Sequence, residues 1–328
     1  MSHIRETEIG VASDGRASLQ DFVAQARAAE DGGASTLWVA SHLFLRDPIT
    51  AAHAALAATS RIRVALMAMS PFSVHPVFIA MAAASLDELF PGRVLLCLGA
   101  GAPGDLAAAG IESTKPLATL RETIRLCRLL LSGGGDHAGE IYKVTGRRLP
   151  NPTDRVPIVL AASGEKMLEL AGSDADGVLI SAATSPAFIQ WCLAQVSRGE
   201  ASRTVPGVCR RYAVVYTRIA DREADALDSI RRTMGFILRG PHHAKNIEVS
   251  GTHLDQGSLW NAYRDQDWDE VERLVADDVV RSHAAAGTSA QVRSRYGQYA
   301  RLGLDELNIG GIDDVEGICE ALALLCSA

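Results

Sequence analysis

His42 closes an apolar run, Trp38-Val39-Ala40-Ser41-His42. An imidazole at the carboxyl end of a strand can donate to a bound ligand or take a proton from it, because its ordinary pKa of about 6.5 suits both near neutrality. The same place equally suits a histidine held for structure. A second run ends Met67-Ala68-Met69-Ser70-Pro71-Phe72, followed by His75-Pro76. It reads either as a strand entering a proline turn, with Pro76 opening a helix, or as an apolar wall of Ala68 and Met69 against a flat ring. A third, Leu98-Gly99-Ala100-Gly101-Ala102-Pro103-Gly104, satisfies G-x-G-x-x-G letter for letter. A dinucleotide site would also need a helix opening directly from the glycines and an acidic residue about 20 positions on, at the next strand's end. Pro103 interrupts the glycines and Glu122 falls inside a helix pattern, so Gly99 is read instead as allowing close approach of backbone to a ligand.

Two more strand ends are small and polar. Leu160-Ala161-Ala162-Ser163-Gly164-Glu165-Lys166 runs straight into a helix pattern. Free N–H groups there, with the Ser163 hydroxyl, make a phosphate cradle of Ala162, Ser163 and Gly164; the alternative is that Ser163 only caps its own helix. Ile180-Ser181-Ala182-Ala183-Thr184-Ser185-Pro186 adds Ser181 as a neighbouring donor.

These residues need a scaffold that brings several strand ends together, and the periodicity supplies one. A short apolar run, a turn and an amphipathic helix recur along the chain. The strand-like runs are Ile9–Ala12, Thr36–Ala40, Ile62–Met69, Val94–Leu98, Val156–Ala161, Gly177–Ser181, Arg211–Thr217 and Glu306–Ile309. The helices that follow are expected at Ser18–Gly33, from Pro48, at Val77–Leu89, Leu117–Leu131, Glu165–Ala171, Pro186–Val196, Arg222–Leu238 and Val315–Leu325. Strands that are apolar throughout are buried on both faces, hence parallel with crossover helices. Eight such units predict an α/β fold, a (β/α)8 TIM barrel whose last strand pairs with its first and whose site lies at the carboxyl ends of the strands. Residues 1–328 are read as a single domain with two insertions, a hairpin-bearing loop at about 132–157 and a mainly helical segment at about 239–288, before the last strand. Long ordered insertions serve as lids or as decoration.

Composition sets the class. The chain has 328 residues, 48% apolar, with 32 basic against 39 acidic residues, so it offers no electrostatic footprint for nucleic acid or an anionic membrane. A 300-residue domain buries roughly 75% of its unfolded surface, and such a core needs no metal or disulfide staple. The six cysteines lie scattered in apolar segments, without the close pairing of zinc sites or redox pairs, and are read as small core residues. Met1 to Glu8 lacks the apolar region of a secretory signal, and no apolar run approaches the length of a membrane span, so a cytoplasmic protein with no metal is expected.

Taken in order, several stretches resemble the bacterial-luciferase-like flavin and deazaflavin oxidoreductases. They are Leu37–Leu43, Ser70–Pro76, Leu86–Arg93, Leu98–Gly101, Pro157–Gly172 and Asp174–Val178. Pro157–Gly172 most resembles the branch containing methylenetetrahydromethanopterin reductase and other enzymes using coenzyme F420, an 8-hydroxy-5-deazaflavin. The resemblance implies an isoalloxazine-type ring in the barrel mouth, from F420 or FMN, with its phosphate at Ala162, Ser163 and Gly164. It also implies a non-proline cis peptide within Met67–Ser70, a small-molecule substrate and a homodimer. Hydride transfer with His42 near the reactive centre is the expected F420 chemistry; oxygen chemistry is the FMN alternative, and binding without catalysis a third. The branch usually has Asp-His where this chain has Ser41-His42, and Arg where it has Val74. Without that carboxylate, His42 lacks the partner that would orient it. Asp87, Glu88 and Arg93 match the family and are assigned to structure.

Overall fold

The computed structural model describes residues 7–326. The expectation of no secretory signal at Met1–Glu8 rests mainly on residues that lie outside that range. Eight parallel strands form the barrel: β1 Glu8–Ala12, β2 Thr36–Ala40, β3 Arg63–Met69, β4 Val94–Leu98, β5 Ile158–Ala161, β6 Gly177–Ile180, β7 Arg210–Ile219 and β8 Glu306–Gly310. Each pairs with its sequence neighbour, and β8 returns to β1 with Glu306 opposite Glu8 and Ile309 opposite Val11, closing the ring.

The helices start where local chemistry permits. In α1 (Leu19–Asp31) the Ser18 hydroxyl accepts from the amide of Asp21, and in α2 (Pro48–Ala58) Asp47 accepts from Thr50. His75 Nδ1 accepts from the amide of Val77 at 3.2 Å and so caps α3 (Pro76–Leu89). Proline occupies the first turn of α2, α3, α4 (Pro103–Ala108), α5 (Pro116–Leu131) and α7 (Pro186–Glu200), where its missing N–H costs nothing. Helix α6 (Glu165–Asp174) packs on α7 closely enough that a Cβ at Gly199 would lie 2.0 Å from the carbonyl oxygen of Glu169.

Seven of the eight strand–helix units agree with the periodicity, and one does not. Helix α8 (Glu223–Leu238), expected to complete the seventh unit, buries Leu227, Ile230, Met234 and Leu238 in a second core with Val271 and Val279. That core belongs to the segment holding α9 (Ala244–Ser250), α10 (Gln256–Asp265), α11 (Trp268–Leu274) and α12 (Asp277–His283). The helix lying on the barrel after β7 is α13 (Ser289–Ala300), which buries Val292, Tyr296 and Tyr299; α14 (Val315–Cys326) follows β8. Both α8 and α13 are amphipathic, so their period alone does not tell which one covers the sheet.

The expected hairpin is present, with His137–Ala138 antiparallel to Lys143–Val144. Glu122 clamps it, accepting from the amides of Glu140, Ile141 and Tyr142 at 2.8–3.1 Å. Asp87, fully buried, accepts from Gly92, Thr153 and Arg155, and Arg93 donates to the carbonyls of Leu56, Thr59 and Ile62, so both tie loops to the barrel's base. Four cysteines are buried, but Cys319 and Cys326 are exposed on the outer face of α14, which corrects their reading as core residues. No helix among the described residues is long and apolar enough to cross a membrane.

Inside the barrel Trp38 and Tyr212 meet edge to face at 5.1 Å. Below them Glu306, with no exposure, accepts from Trp38 Nε1 (2.8 Å), Thr36 and Ser35 (2.9 Å each) and Arg63 (3.1 Å). Burial pushes its carboxyl above the usual range, and these donors offset that only in part. Glu306→Ala strands several buried donors at once and is expected to cost on the order of 3–5 kcal/mol, with Glu306→Gln losing less. Urea midpoints of the two variants check this, and equal midpoints for wild type and Glu306→Ala contradict it.

Candidate active site

With the base filled by that network, the furnished end of the barrel is the one where the strands' carboxyl ends emerge. The amide of Ser41 donates to the carbonyl of Met67 at 2.5 Å, which sets the exit of β2 and delivers His42 with its side chain half-exposed. At the end of β3 the ladder with β4 slips between Leu66 and Met69, and the Met67–Ala68 peptide is cis, within the expected Met67–Ser70. The amide of Gly99 donates to Met69 O at 3.1 Å, and Ser70 Oγ donates to Ala100 O at 3.0 Å, so the ends of β3 and β4 are stitched together. A Cβ at Gly99 would stand 2.9 Å from Ala68 Cβ and 3.6 Å from Ala161 Cβ, so only glycine lets these three residues converge.

The slip corrects one expectation. Strict alternation along β3 turns Ala65, Met67 and Met69 inward. In the structure Met67 and Ala68 both face the interior layer, whereas Met69 is 1% exposed among the residues between strands and helices. The apolar wall is therefore Met67, Ala68 and Ala161, not Ala68 and Met69.

A second correction concerns the cradle. The amide of Ala162 donates to Leu179 O at 3.1 Å, in the ladder with β6, and is not available to an anion. The start of α6 remains: Ser163 half-buried, Gly164 exposed as the cap residue, and the first-turn amides of Glu165 and Lys166, which have no intrahelical acceptor. The Glu165 carboxylate beside them is paired with Arg198 at 3.0 Å. Ser163 accepts no amide as a cap, so the alternative role weighed for it is not the one seen. Ser181 stands half-buried at the end of β6, before a second cis peptide, Ser181–Ala182.

The structure adds residues that spacing did not single out. Asp105, on the first turn of α4, places Oδ2 3.4 Å from His42 Nδ1. Tyr216, near the end of β7, lies against Gly311, where a Cβ would come within 2.9 Å of its ring, and burial pushes its phenol up to about 12. An aromatic at a strand's carboxyl end was a legible signal; Asp105 gave none, because nothing local links it to His42.

The fold is that of an α/β-barrel enzyme, and at the carboxyl ends of its strands stand an apolar surface, the start of α6 and His42. The chain belongs to the luciferase-like monooxygenase family, whose model matches residues 2–306. It is 26% identical over 288 residues to the 5,10-methylenetetrahydromethanopterin reductase of Archaeoglobus fulgidus, covering 86% of each chain. It is 29% identical over 184 residues to the F420-dependent glucose-6-phosphate dehydrogenase of Rhodococcus erythropolis, covering 53% of this chain and 54% of that one. Among solved structures, the coenzyme F420-dependent tetrahydromethanopterin reductase of Methanopyrus kandleri superposes with a TM-score of 0.88 at 21% identity, over 98% of this chain and 99% of that one.

Proposed function

We propose that this protein is a two-electron oxidoreductase that uses coenzyme F420 to move a hydride to or from a small organic substrate. The observation that carries the reading is the convergence of Met67, Ala68 and Ala161 at Gly99, an apolar surface fit for a planar ring, within the same barrel end as the open start of α6. The resemblance of Pro157–Gly172 to the deazaflavin branch, and the relatives named as F420-dependent, favour the deazaflavin over FMN.

The residues fit such a coenzyme part by part. Met67, Ala68 and Ala161 would hold the ring, with Gly99 sparing the space behind it. Ser163, Gly164 and the first-turn amides of α6 would hold an anionic tail, since free N–H groups and the helix dipole both favour negative charge. Bound there, the coenzyme supplies the hydride chemistry. The protein's part is to orient the ring, exclude water from its buried face and handle a proton. His42, half-exposed at the rim, holds or releases that proton as the substrate is reduced or oxidised.

We also propose a homodimer. Helix α3 leaves Phe78, Met81 and Leu89 exposed at 62%, 43% and 62%, an apolar strip that a second copy would cover. Sedimentation equilibrium is expected to give twice the chain mass, and a shift to monomer for Phe78→Asp; a monomeric wild type removes the proposal.

Fluorescence titration of the apoprotein with each coenzyme is expected to show binding of F420 and not of FMN. The reverse result makes the protein an FMN enzyme, for which oxygen consumption is the assay, and binding of neither coenzyme ends the reading. His42→Ala is expected to keep coenzyme affinity within about tenfold while slowing turnover about 10²–10⁴-fold, the range for a lost general acid or base. Unchanged turnover would show that the proton travels by another group.

A further inference from the structure

We propose that Asp105 is the positioning residue for His42, doing from the loop after β4 what a carboxylate at position 41 would do from the end of β2. The inference rests on the reading of His42 as the proton carrier. Position 41 is serine in this chain, so the imidazole has no acidic neighbour in sequence. In space it has one: Asp105 Oδ2 is 3.4 Å from His42 Nδ1.

The approach follows from how the strand ends are tied. Ser70 Oγ binds Ala100 O, and a Cβ at Gly101 would stand 3.1 Å from that hydroxyl. Gly101 takes a left-handed conformation, φ +87°, and the chain then turns into α4 at Pro103. The first turn of α4 therefore leans back across the end of β3, the strand that separates β2 from β4, and carries Asp105 to His42.

The side chains of the pair are 49% and 38% exposed, and an ion pair so open to water contributes little to folding. Its consequence lies in the imidazole. A carboxylate only accepts, so closure of this contact to a hydrogen bond selects the tautomer with the proton on Nδ1. Nε2 is then the nitrogen that exchanges a proton with substrate. Catalytic contacts are often long before substrate binds, so 3.4 Å in the free enzyme is compatible with this role. A carboxylate in a first helical turn also suits the helix dipole. If that were the whole of its function, Asp105 would matter to α4 and not to His42.

The test has one readout that needs neither coenzyme nor turnover. In the apoprotein labelled with ¹⁵N-histidine, His42 is expected to carry its proton on Nδ1, and in Asp105→Ala to revert to the Nε2–H form that an unpartnered histidine side chain prefers. Urea midpoint and coenzyme affinity of Asp105→Ala are expected to stay at wild-type values. Its kcat is expected to fall on the order of 10–100-fold with KM little changed, as for other lost orienting partners. Adding Ser41→Asp to Asp105→Ala is expected to restore both tautomer and kcat. A His42 tautomer and kcat unaltered by Asp105→Ala would overturn the proposal. Failure of the wild type to bind either coenzyme would instead strike the functional reading, and the tautomer would still report on the pair.

Discussion

Glu306 lies without solvent contact at the floor of the barrel, and four donors from β2, the turn before it and β3 converge on it. Arg63 also reaches Glu8 at 2.5 Å, and Glu8 reaches Arg210 at 3.2 Å, so one polar chain links β8, β3, β1 and β7. Closure between the last strand and the first runs through this network. An acceptor here with fewer donors would carry the full desolvation cost of a buried carboxylate. Polar groups filling the floor, with Trp38 and Tyr212 above them, leave the opposite end as the place where loops can shape a site.

At that opposite end the controlling feature is a missing side chain. Gly99 allows Ala68 and Ala161 to approach across β4, and the slip of β3 that accompanies this turns Met67 and Ala68 inward together. The apolar wall and the location of His42 are coupled through the bond from Ser41 to Met67 O. The second core, built around α8, is tied to the barrel near the end of β6: Asn246 donates to Ala183 O at 2.7 Å and its carbonyl oxygen accepts from Ser185. A segment far along the chain thus supports the loop that carries Ser181.

Much of this was readable from residues in order. The strand at Val94–Leu98 is apolar throughout because it is covered on both sides, and Pro76 and Pro186 mark helix starts through a constraint local to the proline ring. His42 at a strand end, the small residues after β5 and the glycines after β4 were legible for the same reason: each signal lies within a few residues.

What the order of residues determined was the repeating unit, hence the barrel, and the strand ends where chemistry would be placed. What only the tertiary structure decided was which atoms meet there. The residues in order suggested a wall of Ala68 and Met69, whereas the ladder slip, a relation between two strands, sets Met67 beside Ala68 and leaves Met69 in the layer behind. Ala162 looked free until β6 claimed its amide. Asp105 became the partner of His42 only because β4 and α4 bring it across the end of β3. Local backbone chemistry is written in neighbouring residues, whereas contacts between strands distant in sequence depend on register and on how the ring closes.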